Sequence, residues 1–394
     1  MGSVAVARGV RDGYVRDLDH PDHPLGGDAV TGARGQLRVV FDRRTSLLLS
    51  TDVDAQDGTP LTFSKVIAKK PGFTFDNPPD LHDVRMSALA WNRTRQYGAS
   101  ARLTMALTPS TTLVSLTAYR NLNYEFFVDA DITELDLITT HQHEWQHQWS
   151  EEITISHQQP RLNWVGGVFL FDEFDHQSYW VDQPAAGFQV RLDPRVDATS
   201  RAIFGEATVV LTPRLSATAG VRYTHEAKDI DNAGGRYGLE APYPPVPGSV
   251  YGYADSIAHG AWTPKVGIEM KLPHDALVYG AATRGFKSGG FNPSSRVPGR
   301  GYAPEGAWSY EGGWKRRAQE RSIQVCRVGI FHGLHELAGA NAHRHRRVRH
   351  RECRIGYDSR RRGGEHVTDR KRHRCGGTCD LARCHVRSVH RGCE

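Results

Sequence analysis

Four residues in one short stretch, His141, His143, Glu144 and His147, are of the types that hold a divalent metal. Imidazole nitrogens and a carboxylate bind zinc, copper or iron when three or four of them converge on one point. At the two-residue period of a strand, His141, His143 and His147 share one face. The plainer reading is the solvated end of a long strand, and it is preferred. A second group, Asp129, Asp131, Glu134 and Asp136, offers hard oxygen ligands suited to Ca²⁺, but the ligand order and glycine of an EF-hand are missing. It reads as a solvated acidic loop. Near the carboxyl terminus, Cys375, Cys379, Cys384, His385 and Cys393 carry zinc-binding chemistry in a spacing that fits no standard zinc module. The Arg-rich runs from Arg344 to Arg354 and from Arg360 to Arg362 lack the interleaved aromatics of a nucleic-acid surface. Gly285, Gly289 and Gly290 have no Lys-Ser/Thr pair and no following helix, so they do not form a phosphate loop. No Ser, His and Asp set forms a defensible triad. The sequence therefore points away from an enzyme. It assigns no catalytic, cofactor-binding, metal or ligand-binding residue, no cofactor and no nucleic-acid partner.

The elements that would position such residues are strands. Five hairpins are legible, at about 36–53, 99–122, 149–172, 201–226 and 261–287. Their turns lie at 42–45, 108–111, 158–161, 212–215 and 272–275. Pro109, Pro160, Pro213 and Pro273 fall in four of these turns, where a preset φ helps and a missing N–H costs no ladder bond. The predicted strands run about 9–12 residues. That matches a tilted strand crossing a bilayer better than the roughly 5–6 of a soluble strand. Ile203, Gly205, Ala207, Val209 and Leu211 fall on one face, and Phe204, Glu206 and Thr208 on the other. On the returning strand Ala217, Ala219, Val221 and Tyr223 oppose Thr218, Gly220, Arg222, Thr224 and Glu226. This is an apolar-out, polar-in alternation, with Arg222, Glu226, Arg284 and Lys287 expected to face an interior. Long loops are expected at 54–98, 123–148, 173–200, 227–260 and 288–305. Short turns at one rim and long loops at the other are the mark of an outer-membrane barrel. Trp145, Trp149, Trp164, Tyr179, Trp180, Trp262, Trp308 and Tyr310 near strand ends suit interfacial girdles.

The net charge of +6 hides a division. Residues 1–315 carry 30 Lys+Arg against 36 Asp+Glu, whereas residues 316–394 carry 20 against 8, all six cysteines and nine of the twenty histidines. A natural domain seldom changes character so abruptly. Back-translation of residues 333–350 with permitted codons, read one base later, allows the strand-like text AYTNLQVQTPIGIGVFD. The second segment is therefore read as out-of-frame translation beginning near residues 314–316, with incidental thiols.

Several short motifs complete the pattern. Tyr279-Gly-Ala-Ala-Thr-Arg-Gly-Phe-Lys-Ser-Gly-Gly-Phe-Asn292 is followed by Pro304-Glu305 and by Ser309-Tyr310-Glu311-Gly-Gly-Trp-Lys315. Together with Ser150-Glu-Glu-Ile-Thr154, Phe204-Gly-Glu-Ala-Thr208, Leu211-Thr-Pro-Arg-Leu215 and Thr218-Ala-Gly-Val-Arg-Tyr-Thr224, this resembles the mid-barrel segment of TonB-dependent receptors over about residues 36–315. The resemblance implies a barrel of about 22 strands in the cell outer membrane, with a plugged lumen. It also implies import of a scarce large ligand (ferric siderophore, cobalamin or glycan) driven by the TonB complex acting through the plug. No signal peptide, TonB box or plug is read in these residues, so the chain is expected to be a fragment. The expected fold is all-β: a partial antiparallel transmembrane β-barrel of about twelve strands over residues 1–315, with an irregular tail over 316–394. The alternatives are a porin-like barrel, or a soluble β-rich binding protein with a zinc- or nucleic-acid-binding tail.

Overall fold

The structure is a computed structural model that describes residues 1–60, 80, 82–299, 301–318 and 323–335. The Cys/His group of residues 375–393, the Arg-rich runs and part of the 54–98 loop lie outside the described residues. In chain order the strands begin with β1 (Gly2–Arg11), β2 (Arg16–Asp17), β3 (Asp28–Val40), β4 (Thr45–Gly58) and β5 (Asp83–Val84). They continue with β6 (Trp91–Thr108), β7 (Thr111–Asp129), β8 (Thr139–Gln158), β9 (Leu162–Gln183) and β10 (Phe188–Thr212). The last are β11 (Leu215–Tyr237), β12 (Tyr251–Leu272), β13 (Ala276–Lys287), β14 (Glu305–Ala318) and β15 (Ile323–His335). All but β2 and β5 form one thirteen-stranded sheet in which each strand pairs antiparallel with its sequence neighbours. The five short turns read from the sequence all lie at one rim, and the other rim carries the longer connections together with one tight turn at residues 184–187.

All five sequence-read turns are present, and the register around them is nearly uninterrupted. Thr212 pairs with Leu215 across a small irregularity at Val210, and Leu272 pairs with Ala276. In the 41–44 turn the Asp42 carboxylate accepts the backbone N–H groups of Arg44 (2.6 Å) and Thr45 (2.7 Å). Those two bonds stabilise the anion and hold its pKa below the usual carboxylate range.

The strands are longer than the sequence suggests. From β6 to β12 they run from 18 to 25 residues. The expected 173–200 loop is almost all strand, closed by one 3₁₀ turn at Pro184–Ala186 and by Gly187 at φ +72°. The cause is physical. Beyond the alternating segment both faces carry polar and aromatic side chains, so the period-two hydropathy signal disappears. The backbone ladder needs no apolar face and continues, as in His176↔Trp145 and His176↔Arg195. The sheet also continues past residue 315, because β15 pairs with β14 from Ala318↔Ile323 to Gly306↔His335.

The two faces differ in kind. One row carries exposed apolar side chains, including Ile203 (61% exposed), Val209, Leu211, Val221, Trp262 (57%), Val266 and Ile268. The other carries charges and hydrogen-bonding groups. The buried apolar cluster lies off the sheet, at the long-loop rim. There Val15, Leu25, Val84, Met86 and Ala90 pack together, with Val128 and Ile132 against them. The short parallel pair β2–β5 ties this cap together, and Arg16 clasps Asp83 through two bonds of 2.8 and 3.0 Å.

Candidate functional site

The residues with metal-binding character are not brought together. His141 and His147 lie on the apolar row among aromatic rings. His141 is 4.8 Å from the Trp180 ring and 6.0 Å from Trp91; His147 is 5.4 Å from Phe174. His141 Nε2 is 3.2 Å from Glu125 Oε1. Glu144 projects from the opposite face, where Gln142 Nε2 donates to its carboxylate at 3.1 Å. A β-strand turns neighbouring side chains to opposite sides, so Glu144 cannot join these histidines. Among the described residues no cluster of three His, Cys, Asp or Glu is placed to hold a metal.

The acidic loop is solvated only in part: Asp136 is exposed, whereas Asp129 is withdrawn from solvent. Asp129 is buried and accepts the N–H and hydroxyl of Ser87 at 2.7 and 2.9 Å and the N–H groups of Asp131 and Ile132. Asp131 accepts the Thr133 hydroxyl and the Ile138 N–H. Asp129 thereby staples this loop to Ser87 beside the apolar cluster, and Asp131 folds the loop back on itself. Their oxygens are spent on protein donors.

The polar face carries the expected Arg222, Glu226 and Lys287. The Arg222 guanidinium lies 5.3 Å from the Phe169 ring and 5.5 Å from Phe204, a cation–π arrangement, and it donates to Thr224 Oγ1. Lys265 Nζ is 2.8 Å from Glu206 on the same wall. Lys287 Nζ sits over the Tyr302 ring at 5.6 Å. Arg284 is a correction. The unbroken β13–β14 register places it on the row of Val278 and Ala282, opposite Lys287, with Nη1 near the Trp262 carbonyl.

The motif residues 288–299 form a strap laid across the polar face. Lys228 Nζ donates to Ser288 Oγ (2.8 Å) and to the Gly289 carbonyl (3.0 Å). Asn232, fully buried, donates to the carbonyls of Pro293 (3.0 Å) and Ser295 (3.3 Å) and to Tyr253 Oη. Gly299 N donates to Asp255 at 2.7 Å. The paired glycines are explained by close approach. A Cβ on Gly290 would lie 2.3 Å from Tyr302 Oη, and one on Gly289 2.6 Å from the Tyr302 carbonyl. Sequence reading missed Lys228 and Asn232, because their partners lie about sixty residues away in the chain.

An up-and-down sheet with long strands, one apolar exposed face, one polar face and one rim made of short turns is the geometry of an outer-membrane barrel wall. The family model for the TonB-dependent receptor-like β-barrel matches residues 33–325. The chain belongs to the TonB-dependent receptor family. Members are β-barrel proteins of the outer membrane, so the apolar row faces lipid and the polar face lines the lumen. Solved receptors share the fold. The ferric yersiniabactin uptake receptor FyuA from Yersinia pestis superposes with a TM-score of 0.72 at 15% identity, over 84% of this chain and 49% of that one. The ferric-catecholate import receptor Fiu from E. coli K12, in its closed form, gives 0.66 at 12%, over 90% and 57%. The siderophore receptor PiuA from Acinetobacter baumannii gives 0.62 at 11%, over 84% and 52%. The TonB-dependent receptor segment described by this chain thus spans about half the length of the solved structures it matches. No curated protein sequence matches it.

Proposed function

We propose that this chain is the barrel wall of a receptor that imports a scarce large ligand across the outer membrane, with a ferric siderophore as the favoured class. Passage is by binding and gating rather than bond chemistry. The observation that carries the reading is the lumen face between β8 and β12. It holds Arg222 stacked on Phe169 and Phe204, the Lys265–Glu206 pair, and a strap tethered by Lys228 and Asn232. Such a wall suits a polar, charged ligand. The similar solved receptors, two of them for ferric ligands and one for a siderophore, support the ligand class by likeness. Energy would come from the TonB complex acting through a plug domain.

The barrel wall is taken to be one part of a longer protein, in keeping with the half-length coverage of its relatives. Residues 316–394 are taken as largely out-of-frame text, supported by the jump to a net +12 and by a family match that stops at residue 325. The test is uptake under iron limitation by cells carrying the intact gene as their sole receptor. Growth on a ferric siderophore, lost when the gene is deleted, is the expected result. Growth only on cobalamin or a glycan would overturn the ligand class, and leakage of small solutes without TonB would favour a porin. Resequencing the genomic DNA around codon 315 tests the frame.

A further inference from the structure

The strap does not lie flush on the wall. Between it and the lumen face of β9, β10 and β12 is a cavity of about 280 Å³ lined by Val181, Val190, Leu192, Tyr179, Tyr251 and Arg296, among others. The first three give it an apolar wall, and the two tyrosines add ring surface. Arg296 stands on the strap at the mouth, exposed, with no ion pair to any described residue. The Tyr251 hydroxyl is buried on the wall without a hydrogen-bond partner among the described residues. A buried hydroxyl left over calls for an explanation, and a ligand oxygen supplies one. Pockets with an apolar lining and a few convergent polar groups are the usual form of small-molecule sites. This volume is at the low end of their range, so it fits one ring-sized group rather than a whole chelate.

We propose that the cavity beneath the strap is a subsite for an organic carboxylate with a compact apolar body, the carboxylate meeting Arg296 and the body packing on Val181, Val190 and Leu192. Guanidinium is the natural partner, because its forked donors match the two oxygens of a carboxylate and stay charged at any working pH. The strap is both roof and sensor. Asn232 and Lys228 fix its height, and the cavity exists only while they hold it. The carboxylate can be a free acid or one arm of a larger ligand. Only the second alternative rests on the proposed transport function.

The test uses the full chain in detergent with [¹⁴C]benzoate as probe, benzamide as its neutral counterpart, and equilibrium dialysis as readout. Saturable benzoate binding is expected, with benzamide at least about tenfold weaker. Arg296→Gln should weaken benzoate about tenfold or more while leaving benzamide unchanged, and Arg296→Lys should recover part of the loss. Leu192→Trp should fill the cavity and abolish both. Equal binding of the two probes, or benzoate binding indifferent to Arg296→Gln and Leu192→Trp, would overturn the subsite. Competition by benzoate in the whole-cell uptake assay separates the two sources. Binding without inhibition of uptake assigns the site to a free acid and leaves it standing, whereas inhibition assigns it to an arm of the imported ligand.

Discussion

The two faces of this sheet solve opposite problems with the same backbone. On the lipid side Ile203, Val221 and Val266 are exposed side chains without polar atoms, because the surrounding hydrocarbon asks only that they be apolar. On the lumen side several long side chains have a named partner: Arg222 with two phenylalanines, Lys265 with Glu206, Lys228 and Asn232 with the strap. One face is specified by composition and the other by pairing. Substitutions on the first should therefore obey a hydrophobicity scale. Those on the second should depend on the partner removed.

The sharpest test sets neighbours in the chain against each other. Val266 and Lys265 lie at the same depth on opposite faces. Val266→Arg should cost roughly 2–4 kcal/mol of folding free energy in lipid vesicles, while the native cation one residue earlier is tolerated. Urea titration of both the wild type and Val266→Arg measures it, and a cost below about 0.5 kcal/mol would break the assignment of faces. Next in size is Asn232→Leu, which removes the strap's buried donor and should cost about 1–3 kcal/mol. Faster tryptic cleavage after Arg296, with the remainder of the sheet protected, would show that the strap has been released. Arg222→Leu should cost about 0.5–2 kcal/mol through the lost stacking on Phe169 and Phe204, and the loss should vanish in a Phe169→Leu, Phe204→Leu background. The smallest effect is at the short-turn rim. The depressed pKa of Asp42 means that its ionised form is favoured by the folded turn. Its contribution is complete above the ordinary carboxylate pKa and fades as pH falls through the folded value. The protection of the Arg44 and Thr45 amides, taken relative to their intrinsic exchange rates at each pH, should fall on acidification, and Asp42→Asn, which keeps an acceptor oxygen, should show little of that pH dependence.

The fold was legible where chemistry is local. The Pro-bearing turns at 108–111, 158–161, 212–215 and 272–275 announce themselves within four residues, and the alternation through Ile203–Leu211 needs only its own strand. Reading failed where the signal is not local. The strands from 173 to 200 carry polar residues on both faces, and only the partner strand reveals that they are paired. Arg284 was misplaced because the Gly-rich text of residues 280–290 hides which row is which until β14 fixes the register. The acidic loop looked solvated, since nothing near Asp129 in the chain predicts Ser87 as its partner. Of the candidate site, the strap's sequence was visible as a family motif, but its anchors were not.

One consequence follows from the overhang of the longest strands. The 25 residues of β10 trace roughly 80 Å of contour, far more than a tilted crossing of the hydrocarbon requires. The surplus stands above the membrane as a chimney of paired backbone rather than as slack chain. A visitor from the medium would meet a mouth whose shape is already set, and the ordering penalty that floppy segments levy on capture would have been met at folding.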